Sequence, residues 1–305
     1  MKKKTVVIIS ISIWVLIQGC INLNNLPEQS VVPFRVGEVV TIEPSIEIPF
    51  YWNYYIPNKV LKNNQKDSSI LLNGAYGQLG RSVEEGQDFT IKHMNGHINY
   101  IKNTSYILLA PAIPRRNSNY KGNPWVWHFP NYIFSKNSRH FFRPDLKINM
   151  MIDKLQSLLK ANNIIVNKKI FVFGYSIGGH FSNRYSTLNP TKVKAYAAGG
   201  ISGELTIPTE EIDGKKLLWP LGISNLEKLT KETFNYEAYK DIPRYIFWGE
   251  LNKFPYHLKE KYNHYDDKSY YKHWIEKWGE DNPTALLKQS EYVRKMGVNI
   301  KYNES

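Results

Sequence analysis

Cysteine is almost absent. Cys20 is the single one among 305 residues, which excludes an intramolecular disulfide framework and any Cys-rich zinc or iron–sulfur centre. Internal repetition is absent as well: no pattern recurs at a period of 20 to 50 residues, and an aromatic content of 14% with 21 Tyr excludes collagen-like and low-complexity classes. Acidic residues are scarce relative to basic ones, 27 against 40, so the formal charge is +13. That balance favours anionic surfaces as partners and says nothing of the fold. What remains, 42% hydrophobic, is enough for a sizeable core.

Long apolar runs are missing except at the start. Met1-Lys2-Lys3-Lys4 precedes an apolar stretch from Thr5 to Ile17, then Gln18-Gly19-Cys20. A basic segment followed by a short apolar one is an export signal. About 13 residues span roughly 20 Å as a helix, too little for a permanent membrane crossing. Ile17-Gln18-Gly19-Cys20 resembles the lipobox of bacterial lipoproteins, although Gln18 is bulky for that position. The resemblance implies cleavage after Gly19 and lipidation of Cys20, hence an exported chain held on the outer side of a membrane; a plain secretory signal is the alternative. Loss of residues 1–19 removes three lysines and lowers the formal charge to +10. Residues 20–35, polar and broken by proline, read as a tether, and 36–305 as one domain.

Within that domain, Val36–Ile42 and Tyr51–Ile56 are β-rich and bounded by prolines, which predicts an opening antiparallel hairpin. Ser69–Asn73, Ser105–Ala110 (stopped by Pro111), Lys169–Phe173, Val193–Ala198, Arg244–Trp248 and Val298–Tyr302 are short continuous apolar runs, the pattern of strands buried on both faces. Helical spacing appears between them. Ile148, Met151, Ile152, Leu155, Leu158 and Leu159 form one stripe behind Pro144 and Asp145; Ile177, Phe181, Tyr185 and Leu188 form another, closed by Pro190. Asn282 suits an N-cap before Pro283, and Gly297 a helix C′ position. Alternating strands and helices predict an α/β domain with a mainly parallel sheet.

Gly174-Tyr175-Ser176-Ile177-Gly178 sits where a strand should turn into a helix. A tight bend of that kind lifts the central side chain above the sheet, and the flanking glycines remove Cβ atoms that would collide. Ser176 is therefore the candidate nucleophile, with the N–H of Ile177 at a helix N-terminus as one oxyanion donor. A second donor should come from the loop after an earlier strand: Asn73-Gly74-Ala75-Tyr76-Gly77, with Ala75 first and Tyr76 next.

These segments, with Leu108–Pro114, Asn189–Ala195 and Pro243–Glu250, make residues 50–302 similar to the α/β-hydrolase superfamily, specifically its bacterial exported esterase- or lipase-like members. The resemblance implies a mainly parallel central sheet with helices on both faces and antiparallel N-terminal strands. It implies an acyl-serine intermediate on a small-molecule or lipid-like ester, with no cofactor and no nucleic acid as partner. Two positions depart from the pattern. An Asp is usual three residues after the glycine of the late strand, where this chain has Asn252; Glu250 is the substitute acid. The histidine base usually follows the last strand, after which only Asn303, Glu304 and Ser305 remain. His257, His264 and His273 lie earlier and need an insertion to reach Ser176. Loss of a base removes several powers of ten in rate, so the chain reads either as ending before its histidine loop or as a non-catalytic binding relative that keeps the pocket.

Weaker patterns carry other readings. His93 and His97 share a helix face but lack the Glu of a zincin helix, so no metal is expected there. Pro124–Pro130, with Trp125, Trp127, His128 and Phe129, suits either an acyl pocket or lid or simple packing. Tyr, Trp, His and Lys alternate over 253–277, but a tethered exported protein meets anionic lipid or cell-wall polymer rather than nucleic acid.

Overall fold

The computed structural model describes residues 26–62, 68–74, 83–113, 126–249 and 268–302. Eight strands form one sheet: β1 (Val39–Ile42), β2 (Tyr51–Tyr55), β3 (Ser69–Asn73), β4 (Tyr106–Ala112), β5 (Ile170–Tyr175), β6 (Val193–Gly199), β9 (Arg244–Phe247) and β10 (Ile300–Tyr302), in the order β1-β2-β4-β3-β5-β6-β9-β10. β1 and β2 pair antiparallel, as does β2 with β4; every later pairing in the sheet is parallel. A separate two-stranded hairpin joins β7 (Glu211–Ile212) to β8 (Lys215–Lys216).

The crossovers carry α2 (Val83–Ile101), α3 (Pro144–Ala161), α4 (Ile177–Leu188) and α8 (Asn282–Lys295). Shorter helices are α1 (Asn58–Lys62), α5 (Leu226–Thr230), α6 (Tyr236–Lys240) and α7 (Lys268–Trp278). Strand alternation divides the core. Ile70, Leu72, Ile107, Leu109, Ile170 and Val172 join Ile148, Met151, Ile152, Leu155, Phe181, Tyr185 and Leu286 on one side, while Leu108 and Ala110 meet Met94 and Ile101 of α2 on the other. Among the described residues, no helix is long and apolar enough to cross a membrane.

Three local expectations need correction. β4 runs through Pro111 to Ala112 instead of stopping before the proline. Its pairing with β3 ends at Leu109, so Pro111, which lacks an N–H, falls where β4 is paired with β2 alone. β5 continues past Gly174 to Tyr175, because Gly174 and Tyr175 pair with Ala198 and Gly199 of β6. The N-cap of α8 is Asp281, whose carboxylate accepts the Thr284 N–H at 2.9 Å, and Asn282 is the first helical residue. Gly297 does follow the last turn at φ 83, the left-handed conformation that glycine adopts without strain.

Candidate active site

The turn from β5 into α4 is built by close backbone contact. A Cβ on Gly174 would lie 2.0 Å from the carbonyl oxygen of Gly178, so only glycine lets strand and helix meet this tightly. Between them Ser176 takes φ 56, ψ −119, outside the regular helix that follows. Its N–H donates to the Gly199 carbonyl at 2.8 Å, which pins the bend to the end of β6, and its carbonyl accepts the N–H groups of Gly179 and His180 at 2.9 and 3.2 Å. The Ser176 side chain is exposed, whereas every residue from Ile177 to Thr187 is buried. Ile177 is the first residue of α4. The opening N–H groups of a helix have no acceptor within it and carry its positive end, so a developing oxyanion beside Ser176 is stabilised there.

The exit of β3 arrives at the same place. The Gly74 N–H donates to Phe173 of β5 at 2.8 Å, and a Cβ on Gly74 would sit 2.5 Å from the Phe181 ring and 2.9 Å from the Gly178 carbonyl. Asn73, 4% exposed, points its amide toward His97 of α2 at 3.4 Å. Gly74, in the segment expected to give the second oxyanion donor, therefore packs against the elbow. Ala75 and Tyr76 themselves lie outside the described residues, as do Glu250 and Asn252, His257, His264 and Cys20. β9 reaches the site with Phe247 in register with Gly199, and the described chain continues to Gly249. His273 is on α7 close enough to Asp213 of the β7–β8 hairpin to help hold that carboxyl below its ordinary range, after the larger effect of the Lys277 hydrogen bond.

Of the aromatic segment before α3, Trp127 and Phe129 have a packing role. Both rings are buried, 5.0 and 5.5 Å from Phe181 on α4, and the Trp127 indole donates to the Ile113 carbonyl at 2.8 Å.

Sequence reasoning missed a buried polar cluster behind the elbow. His180, one turn beyond Ser176, stacks on His128 with centroids 4.4 Å apart, and its Nε2 meets Ser202 Oγ at 2.9 Å. Arg184 donates to Glu204 at 3.1 Å and to the His128 carbonyl at 2.6 Å. Residues 128, 180 and 204 are too far apart in the chain for any spacing rule; the histidine directly after the elbow glycines was the available signal.

No protein-family model and no curated protein matches the chain. Solved structures do. A poly(aspartic acid) hydrolase from Sphingomonas sp. KT-1 superposes with a TM-score of 0.55 at 17% identity, over 91% of each chain. A poly(3-hydroxybutyrate) depolymerase from Bordetella parapertussis gives 0.51 at 14% identity, over 87% of this chain and 82% of that one. With two antiparallel strands leading a parallel sheet, and a strained serine between its fifth strand and the following helix, the chain has the α/β-hydrolase fold.

Proposed function

We propose that the protein is a serine hydrolase that cleaves carboxylic esters through an acyl-enzyme on Ser176. The observation that carries this reading is an exposed serine held at φ 56, ψ −119 at the mouth of a helix that is buried from Ile177 to Thr187. The two neighbours are named as a hydrolase and a depolymerase, which agrees with bond cleavage by acyl transfer. Ser176 Oγ adds to the ester carbonyl as its proton passes to a base. The oxyanion rests on the Ile177 N–H and on an N–H of the loop after Gly74, for which Ala75 is the choice. Collapse expels the alcohol, which takes the proton back, and water then repeats the sequence to release the acid and restore Ser176. Glu250, three residues after Phe247, is the acid we assign to orient the base. The substrate class is a small or lipid-like ester.

Labelling with a fluorophosphonate tests this directly. Wild type should acquire one covalent adduct and Ser176→Ala none; folded wild type that stays unlabelled would leave the pocket as a binding site and end the enzymatic reading. We further propose that the chain is exported and anchored outside the cytoplasm by lipid on Cys20. Cys20→Ala should then move it from the membrane fraction to the soluble one, and an unchanged distribution counts against the anchor.

A further inference from the structure

The geometry points to a metal site that joins the nucleophile helix to the two loops beside it, with His128, His180 and Glu204 as ligands and Zn²⁺ as the ion. One ligand atom from each residue lies within 4.8 Å of the other two. The three residues are 5%, 2% and 2% exposed, so the donors converge in the interior rather than on a solvated face. Each comes from a different element: His128 from the turn Val126–His128 between β4 and α3, His180 from α4, Glu204 from the segment after β6.

Donor chemistry selects the ion. Two imidazole nitrogens and one carboxylate oxygen suit Zn²⁺, whereas Ca²⁺ and Mg²⁺ prefer all-oxygen shells. Bonds of about 2.0–2.1 Å place two imidazole centroids on one ion roughly 4.5–5.2 Å apart for N–Zn–N angles of about 90–110°. The observed rings stack 4.4 Å apart at 26°, so their lone pairs lie in nearly parallel planes and one imidazole must turn for both to meet the ion. Tetrahedral ligand edges are about 3.3 Å at those bond lengths, so binding draws the donors together by up to roughly 1.5 Å, with water completing the shell.

The outer partners are also in place. Ser202 Oγ at 2.9 Å accepts Nε2–H in the tautomer that turns the His180 Nδ1 lone pair toward Glu204, 4.0 Å away; the Ser202 N–H lies 3.3 Å from the same Nε2 and favours the opposite tautomer, so ion binding selects between them. Arg184 Nη2 holds Glu204 Oε2 at 3.1 Å and neutralises the carboxylate when no ion is bound. That guanidinium also opposes a dication, which sets the affinity below that of a site without it.

The test uses full-length protein stripped by a chelator, loaded with Zn²⁺ and desalted. One zinc per chain and a raised unfolding temperature are expected for wild type and for the His93→Gln/His97→Gln control, with both effects lost in His128→Gln and His180→Gln. Wild type that retains no zinc and shows no thermal shift overturns the site, as does equal retention in the His128→Gln protein. Should those variants not fold, Co²⁺ loading of wild type decides: an intense four-coordinate visible spectrum supports the site, and a weak six-coordinate one overturns it. None of these readouts depends on esterase activity, so the proposal stands or falls separately from the nucleophilic role of Ser176.

Discussion

At Ser176 the backbone and the chemistry pull against each other. A non-glycine residue at φ 56, ψ −119 carries a steric cost of about 1–3 kcal/mol, tolerated because neighbouring contacts fix the bend. Ser176→Gly should therefore unfold later, by about 2–4 °C for each kcal/mol relieved, while losing fluorophosphonate labelling. An unfolding temperature that stays put or falls would mean the bend stores no strain. Gly174 gives the opposite expectation. An added Cβ would meet the Gly178 carbonyl at 2.0 Å with only backbone to move, so Gly174→Ala should cost about 3 kcal/mol in urea unfolding. Gly86→Ala in α2, where a Cβ meets nothing within 4 Å, should stabilise by about 0.5–1 kcal/mol. Equal effects at the two positions would remove the packing argument for the elbow.

α4 shows what a whole element requires. Its apolar stripe, Ile177, Phe181 and Tyr185, was legible in the sequence, but the helix also buries His180, Ser182, Asn183, Arg184, Ser186 and Thr187. Asn183 bridges the Tyr196 hydroxyl and the Thr206 N–H at 3.0 Å each, and Arg184 pairs with Glu204. Such an ion pair adds little net stability, yet removing one member strands the other charge in the interior. Arg184→Met should cost about 3–5 kcal/mol by urea unfolding, and Arg184→Met/Glu204→Met should recover most of it. Additive losses would show that the two side chains do not act as a pair. The elbow was readable because its requirements fall within five consecutive residues, and the strands because their apolar runs are continuous. The polar side of α4 was not, since its partners come from 128, 196, 204 and 206. Likewise, the neighbouring Asp281 and Asn282 are both good caps, and only the Thr284 N–H selects between them.

At the scale of the whole molecule, the described tyrosines range from the core to the surface. On the α3–α4 side Tyr54, Tyr185 and Tyr239 are buried in the main core, whereas Tyr175 and Tyr245 are each 44% exposed. Burial pushes the phenols of Tyr54 and Tyr239 up to about 12 and that of Tyr185 well above its ordinary value. The folded chain thus holds these protons up to about pH 12, while the unfolded chain releases them near pH 10. Their contribution is fully present below pH 10 and is lost as pH rises toward 12, because unfolding then releases protons. The urea midpoint should be level in tyrosine-dependent stability up to about pH 10 and fall steeply above it. Tyr239→Phe keeps the ring that lies under Arg244, 4.1 Å from its guanidinium carbon, and removes the phenol proton, so its midpoint should fall less steeply between pH 10 and 12. Tyr245→Phe, whose ring is 44% exposed, should follow wild type. Identical slopes in all three proteins would assign the alkaline loss to groups other than the buried phenols.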